Sequence, residues 1–353
     1  MKLFLDIRDT YSSGIARYAS DNLRLILEFS YVKEVHIACL PGGLPADLKN
    51  NPVLCFHDFP FRHYSVAEQL KYGKLLKKLE NQVDAFWFFH YARPVYPRLK
   101  KPIIVSLLDT VQFDFKYGSF LKRLAGKLLL KASLNKASQI ICISNKTQAS
   151  LSSLMPNLGN NSRVIYPPVV LAEGVKRRNA KDKTLLCIGN RKLHKNFQVV
   201  LQALSLLDSS WKVKIVGKRD FEFDELDSII ETSGMETRVQ SLTGLSYEEV
   251  NKEIKKTELL IVPSLAEGFG YVPWEALSHG VLPILSDIPV FREVFADSGV
   301  YFNPSSPEKL ASIIEGLSNQ AREKHFQAMC EKKYIVSPAA QTKKLDALLK
   351  TIL

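Results

Sequence analysis

Residues Ile261 to Val294 read IVPSLAEGFGYVPWEALSHGVLPILSDIPVFREV. An apolar run ends at Pro263, a loop carrying Glu267, Gly268, Phe269 and Gly270 follows, and Pro273 suits the first turn of a helix. A second apolar run then occupies Leu282 to Leu285. Strand, loop, helix and strand in this order make the repeating unit of a parallel sheet. On this reading Glu275 lies in the first turn of the helix. Backbone amides exposed at a helix N-terminus and reached through glycines can receive a diphosphate. Glu267 and Glu275, eight residues apart, can then hold hydroxyls on either side of it.

The same alternation runs in both directions. Before the quoted stretch, strands are expected at Thr184 to Ile188, Lys212 to Val216, Arg238 to Leu242 and Leu259 to Val262. Further upstream they are expected at Lys2 to Asp6, Glu34 to Ala38, Ala85 to Phe89, Ile103 to Leu107 and Gln139 to Ile143, with a helix from Gly14 to Phe29. The Pro-rich, then charged segment YPPVVLAEGVKRRNAKDK lacks periodicity and reads as a linker. The expected fold is therefore α/β, with two doubly wound Rossmann-like domains facing across a cleft. The boundaries are 1–168 and 169–336, with 337–353 as a closing segment. In such sheets ligands gather at the carboxyl ends of the strands.

One of those ends is cationic. In LLCIGNRKLHKNFQVVLQAL, Gly189 closes a strand and Arg191, Lys192 and Lys195 precede an amphipathic helix. Cations at the mouth of a strand-to-helix loop suit phosphate oxygens, and Arg can bind two at once. The chain has no Asp-x-Asp motif, so these cations are expected to carry the charge of a leaving diphosphate without a metal.

Together these segments resemble the group 1 (family 4) retaining glycosyltransferases of the GT-B fold, whose hallmark is two glutamates separated by seven residues. The likeness implies that Arg191 and Lys195 bind the diphosphate. It also implies that Glu267 faces the donor sugar, while Gly268, Phe269, Gly270 and Tyr271 line it. Glu275 would hold the ribose, and the closing segment 337–353 resembles the terminal helix that crosses back to the first domain. SLTGLSYEEV resembles the turn against the nucleobase, with Gly244 and Leu245 in the matching positions, and Gly189 would also border the donor. SSGIARYASDNL resembles the glycine loop of the first domain, placing Gly14 at the donor and Arg17 near it. The segment ending in His90 and Tyr91 resembles one found in polysaccharide enzymes of the family, which makes His90 a candidate for acceptor or sugar contact. Where the family often has His-Asp, this chain has Leu108 and Asp109. That departure points to an altered donor, with a 6-deoxy sugar entering consideration beside mannose.

Charge suggests the acceptor. Up to Val170 there are 23 Lys and Arg against 12 Asp and Glu, and beyond it 25 against 24, so the first half carries nearly all of the net +12. Much of it falls in two helical segments, Val66 to Gln82 and Phe120 to Ser138, the latter with Lys122, Arg123, Lys127, Lys131 and Lys136. Basic amphipathic helices suit an anionic membrane surface or a phosphate-bearing acceptor, and no nucleic acid is expected as a partner. MKLFLDIRD meets charge at Asp6, too early for a signal peptide. A cytoplasmic protein at the inner face of the membrane is expected. The five cysteines have no CxxC or ligand spacing and read as buried thiols rather than zinc ligands.

The activity this implies is transfer of a sugar from a GDP-, dTDP- or UDP-linked donor to a lipid-linked oligosaccharide in surface polysaccharide assembly. No cofactor beyond the donor substrate is expected. A non-catalytic nucleotide-sugar binder of the same fold is the alternative, and a sugar phosphorylase or nucleotide-sugar epimerase of related fold a third.

Overall fold

The computed structural model describes residues 1–8, 14–39, 46–59, 65, 68–114, 120–159, 161–178, 182–219 and 226–352. The chain forms two compact units. One comprises Met1–Pro168 with Val336–Leu353, the other Val169–Ile335.

The first unit is built on a seven-stranded sheet: β1 (Lys2–Ile7), β2 (Glu34–Cys39), β3 (Leu54–Asp58), β4 (Ala85–Phe88), β5 (Ile103–Leu107), β6 (Gln139–Cys142) and β7 (Ser162–Val164). Their order across the sheet is β3-β2-β1-β4-β5-β6-β7, and the paired strands are parallel. The central strands are buried along almost their whole length, as helices on both faces require. Such strands appear in sequence as continuous apolar runs, which is why they could be located there. Strands β3 and β7 escape that reading. The first is an edge strand with Phe56 43% exposed, and the second has only three residues, too few to show a period.

The second unit carries a six-stranded sheet of β8 (Thr184–Ile188), β9 (Lys212–Val216), β10 (Val239–Leu242), β11 (Leu259–Val262), β12 (Leu282–Ser286) and β13 (Val300–Phe302). The order is β10-β9-β8-β11-β12-β13, again parallel. The three-residue β13 is likewise absent from the sequence reading.

Helix starts are capped by side chains whose oxygens accept orphan amides. Ser246 and Glu249 form a reciprocal capping box at Tyr247–Lys255, and Ser337 caps the terminal helix Pro338–Lys350. That last helix belongs to the first unit: Tyr166 N donates to Gln341 Oε1 at 3.0 Å and Tyr31 OH to Asp346 Oδ1 at 2.8 Å. The expected basic helix at 66–82 is instead a π-helical turn Glu68–Tyr72 running into a short helix Gly73–Leu79, with 66 and 67 outside the described residues. Of the cysteines, Cys39, Cys142 and Cys187 are buried, whereas Cys55 and Cys330 are only partly so.

Candidate functional site

In the second sheet, chain order reverses direction between β8 and β11. Loops leaving two such neighbouring strands diverge and open a crevice at their carboxyl ends. The basic loop follows β8 and the Glu267 loop follows β11, so both candidate elements flank this point.

The basic loop is shaped by backbone conformation. Gly189 has φ +149°, and a Cβ there would lie 3.2 Å from Lys195 Cε, so glycine lets the lysine stem pass. A single 3-10 turn, Leu193–Lys195, ends at Asn196, which adopts the left-handed conformation at φ 53°. Asn196 Nδ2 donates to Pro263 O at 3.1 Å and to Pro304 O at 2.8 Å, tying this loop to those after β11 and β13. Leu265 N donates to His194 O at 2.7 Å, a second tie to the Glu267 loop.

These ties bring Lys195 Nζ to 2.5 Å from Glu267 Oε1, which also accepts Ser264 Oγ–H at 2.7 Å. Ser264 is itself fixed through its carbonyl, which accepts Ser286 Oγ–H at 2.5 Å. Burial alone would raise the Glu267 pKa. The charge and hydrogen bond of Lys195, with Ser264, outweigh it and hold the carboxyl below its ordinary value. Glu267 is therefore an acceptor-only group at neutral pH, able to take hydrogen bonds from hydroxyls. Beside it, burial and then the charge of Lys195 push His194 down to about 4, so that imidazole is neutral.

Arg191 is buried, and its Nη1 meets Asp227 Oδ1 at 3.0 Å. Asp227 also receives Arg219 at 2.7 Å. The structure thus brings Lys195, not Arg191, onto Glu267. Past Glu267, Gly268 and Phe269 are buried, and Gly270 precedes the helix Tyr271–Ser278 with φ +88°. A Cβ on Gly270 would lie 2.5 Å from Phe291 Cε1, so only glycine fits. Tyr271 packs edge-on to Phe269 at 5.5 Å. Glu275 requires a correction: it is the fifth residue of this helix, whose first turn contains no acidic group. The helix begins at Tyr271, immediately after Gly270, and Pro273 stands in its first turn as expected. Gly244, exposed, and Leu245 lie in the turn between β10 and the helix Tyr247–Lys255.

In the first unit the corresponding reversal falls between β1 and β4. Gly14 opens the helix Gly14–Leu27 that follows β1, and Arg17 one turn on pairs with Asp21 at 3.7 Å. His90 follows β4; its Nδ1 accepts Ala92 N–H at 2.9 Å and its ring stacks on Tyr91 at 4.7 Å. Leu108 and Asp109 follow β5, both half-buried, and Asp109 Oδ1 accepts Val111 N–H at 3.1 Å. These residues gather at the carboxyl ends of three neighbouring strands.

Sequence reasoning missed a buried network there. Arg8 Nε meets Asp6 Oδ1 at 2.7 Å, Arg8 Nη2 meets Glu68 Oε1 at 2.8 Å, and the guanidinium lies 4.1 Å over the Tyr72 ring. A carboxylate inside the apolar run of β1 was the available signal, since a buried charge must be paired. Ser264, Asn196 and Asp227 were missed as well.

Residues 172–333 match the family model described as "Glycosyl transferases group 1". Among curated proteins, the chain is 26% identical over 200 residues to the O-antigen chain mannosyltransferase RfbU of Salmonella typhimurium, 56% of each chain. It is 27% identical over 243 residues to the GDP-mannose:cellobiosyl-diphosphopolyprenol alpha-mannosyltransferase of Xanthomonas oryzae pv. oryzae, covering 67% of this chain and 63% of that one. The matches therefore span less than two thirds of these relatives' own lengths. Among solved structures, Anabaena Alr3699/HepE in complex with UDP-glucose superposes with a TM-score of 0.77 at 15% identity, over 99% of this chain and 100% of that one. Likeness at that identity establishes the fold, two Rossmann-like units of the GT-B type.

Proposed function

We propose that this chain, whose second unit belongs to the group 1 glycosyl transferases, transfers a mannosyl residue with retention from a nucleotide-diphosphate donor to a lipid-linked oligosaccharide. The observation that carries the reading is the Lys195–Glu267 pair at the direction reversal of the second sheet. A fixed cation and an ionised carboxylate 2.5 Å apart offer one partner for phosphate oxygens and one for sugar hydroxyls. The names of the curated relatives support mannose as the sugar and a lipid diphosphate as the acceptor carrier.

In this reading Lys195 turns one of its three N–H bonds from Glu267 to the donor diphosphate. Glu267 accepts from hydroxyls of the transferred sugar, while Glu275, further along the helix, takes the ribose. The amides of Gly268 to Tyr271 border the diphosphate. The leaving diphosphate assists removal of the acceptor proton on the same face, and the protein contributes positioning and charge stabilisation. Arg191, buried and paired with Asp227, supports the basic loop from behind. No metal is assigned a role.

A membrane-facing acceptor is supported by the helix Phe120–Leu134. Leu121, Leu124 and Leu128 are 73%, 43% and 60% exposed on one face, and Arg123, Lys127 and Lys131 form an adjacent row at four-residue spacing. Lys127, Lys131 and Leu128 also border a groove of about 330 Å³ closed by Leu154 and Met155. Such a face can place leucines among acyl chains and cations among phosphates. No helix among the described residues is long and apolar enough to cross a membrane. Mass spectrometry of products from a panel of nucleotide sugars and lipid-linked acceptors tests the proposal. Mannose transfer from GDP-mannose is expected, and transfer of a 6-deoxy sugar alone would replace it with the reading suggested by Leu108.

A further inference from the structure

At the β3 edge of the first unit's sheet, four side chains of metal-binding type share one face. Parallel register sets Lys2 beside Glu34 and His36 beside Cys55, with His57 two residues further along β3. Side chains alternate along a strand, so Lys2, Glu34, His36, Cys55 and His57 all project to the same side. Glu34 Oε1 lies 3.1 Å from His36 Nε2 and 3.5 Å from Cys55 Sγ, and one donor atom from each of the three falls within 4.8 Å of the others.

The orientation of each group is fixed from behind. Lys2 Nζ holds Glu34 by Oε2 at 2.6 Å, leaving Oε1 directed at His36 and Cys55. His36 Nδ1 and His57 Nε2 are 2.9 Å apart in a hydrogen bond, with the rings stacked at 5.2 Å. His36 is only 3% exposed, and its Nε2 is buried without a hydrogen-bond partner although a carboxylate oxygen stands 3.1 Å away. With the His36 proton on Nδ1, Nε2 presents a lone pair toward carboxylate and sulfur. Two acceptors facing at that distance repel, and a cation between them removes the repulsion. A ligating histidine characteristically has its other ring nitrogen occupied by a hydrogen bond, as here.

We propose that Glu34, His36 and Cys55 bind one zinc ion, with His57 as the positioning residue for His36. A carboxylate, an imidazole and a thiolate form a donor set for zinc, whereas magnesium and calcium take oxygen ligands. Zn–N and Zn–O lengths near ~2 Å and Zn–S near ~2.3 Å fit the 3.1 Å and 3.5 Å that separate Glu34 Oε1 from His36 Nε2 and Cys55 Sγ. Binding releases the Cys55 proton to solvent. Glu34 and Cys55 are partly exposed, so water completes the fourth position. The ion would clip β2 to β3 and, through Lys2, bear on β1. This proposal departs from the reading of Cys55 as a buried thiol rather than a zinc ligand. Its ligands come from neighbouring strands, and spacing along one segment cannot reveal them.

The experiment uses the full chain freed of metal by chelation and titrated with Co²⁺, then Zn²⁺. One Co²⁺ per chain is expected, with a thiolate-to-cobalt charge-transfer band and strong tetrahedral visible bands, both removed by Zn²⁺. Cys330→Ser keeps these bands. Cys55→Ser loses them and weakens Zn²⁺ binding by at least about 100-fold, while His57→Phe, which leaves all three ligands, weakens it by about 10-fold. Circular dichroism of the metal-free variants confirms that they fold. Lack of a thiolate band in the wild type, or its persistence in folded Cys55→Ser, overturns the proposal.

Discussion

Lys195 Nζ lies 2.5 Å from Glu267 Oε1, joining the loops that leave β8 and β11. The two residues are 72 positions apart in the chain, yet they are neighbours because β8 and β11 are adjacent strands. The pair is therefore a product of sheet order, and the lysine charge helps hold the Glu267 carboxyl below its ordinary value against the opposing effect of burial.

Lys195→Ala is expected to weaken binding of both the donor and the free nucleoside diphosphate. A lost hydrogen bond to a charged group costs about 1.5–3 kcal/mol, roughly 10-fold to 150-fold in affinity. Isothermal calorimetry with and without a chelator checks this. Binding that survives the substitution but vanishes with the chelator would assign the phosphate charge to a metal instead.

Asn196 separates backbone strain from side-chain tethering. Asn196→Gly keeps φ 53° accessible but removes the bonds to Pro263 O and Pro304 O, and is expected to lower the stability of the second unit by about 1–3 kcal/mol. Asn196→Ala adds left-handed strain and should cost about 1 kcal/mol more. Denaturant unfolding followed at the second unit tests the order; equal effects of the two substitutions would remove the strain argument.

His194 supplies a pH dependence. Its folded pKa is depressed to about 4 from the ordinary 6.5, so between those values the unfolded chain binds a proton that the folded one does not. Its contribution is fully present above about 6.5 and is lost as pH falls toward 4, on the order of 2–3 kcal/mol at full effect. Thermal melts between pH 7 and 4.5 should show a steeper loss for wild type than for His194→Gln. Parallel curves would show that His194 titrates normally.

Much of this was legible in the sequence, for reasons that differ by residue. Strands such as Leu259–Val262 are buried on both faces and so appear as unbroken apolar runs. Glu267 and Lys195 stood out through motif order. The placement of Arg191 on Asp227 did not, because Asp227 sits on the helix Leu226–Thr232, 36 residues further on, with no spacing rule to link them. Asn196 gave no signal either, since its partners are carbonyls 67 and 108 residues away. Glu275 was put one turn too early because Pro273 marks the first turn without fixing its first residue, which Gly270, at φ +88°, does.

The helix Phe120–Leu134 predicts salt-sensitive binding to anionic vesicles. Reversing Arg123, Lys127 and Lys131 to Glu removes about 1 kcal/mol of attraction per cation, so the loss is expected to reach about 100-fold. Leu121→Ser with Leu128→Ser should weaken the binding that persists at high salt. Co-sedimentation unaffected by either set would leave the helix as a solvated face.

The central claim, that Glu267 holds the transferred sugar of a working transferase, is tested most directly by comparing wild type with Glu267→Ala. The measurement is the rate of product formation from GDP-mannose and a lipid-linked oligosaccharide, followed by mass spectrometry, with the anomeric configuration read by NMR. Losing a charged hydrogen-bond acceptor in a closed site costs roughly 2–4 kcal/mol, a fall of about 30-fold to 1,000-fold. The account predicts an α-linked product from wild type and a loss of that size in a variant with an unchanged circular dichroism spectrum. Transfer at the wild-type rate by Glu267→Ala, or donor binding with no product from either protein across the panel, would contradict it.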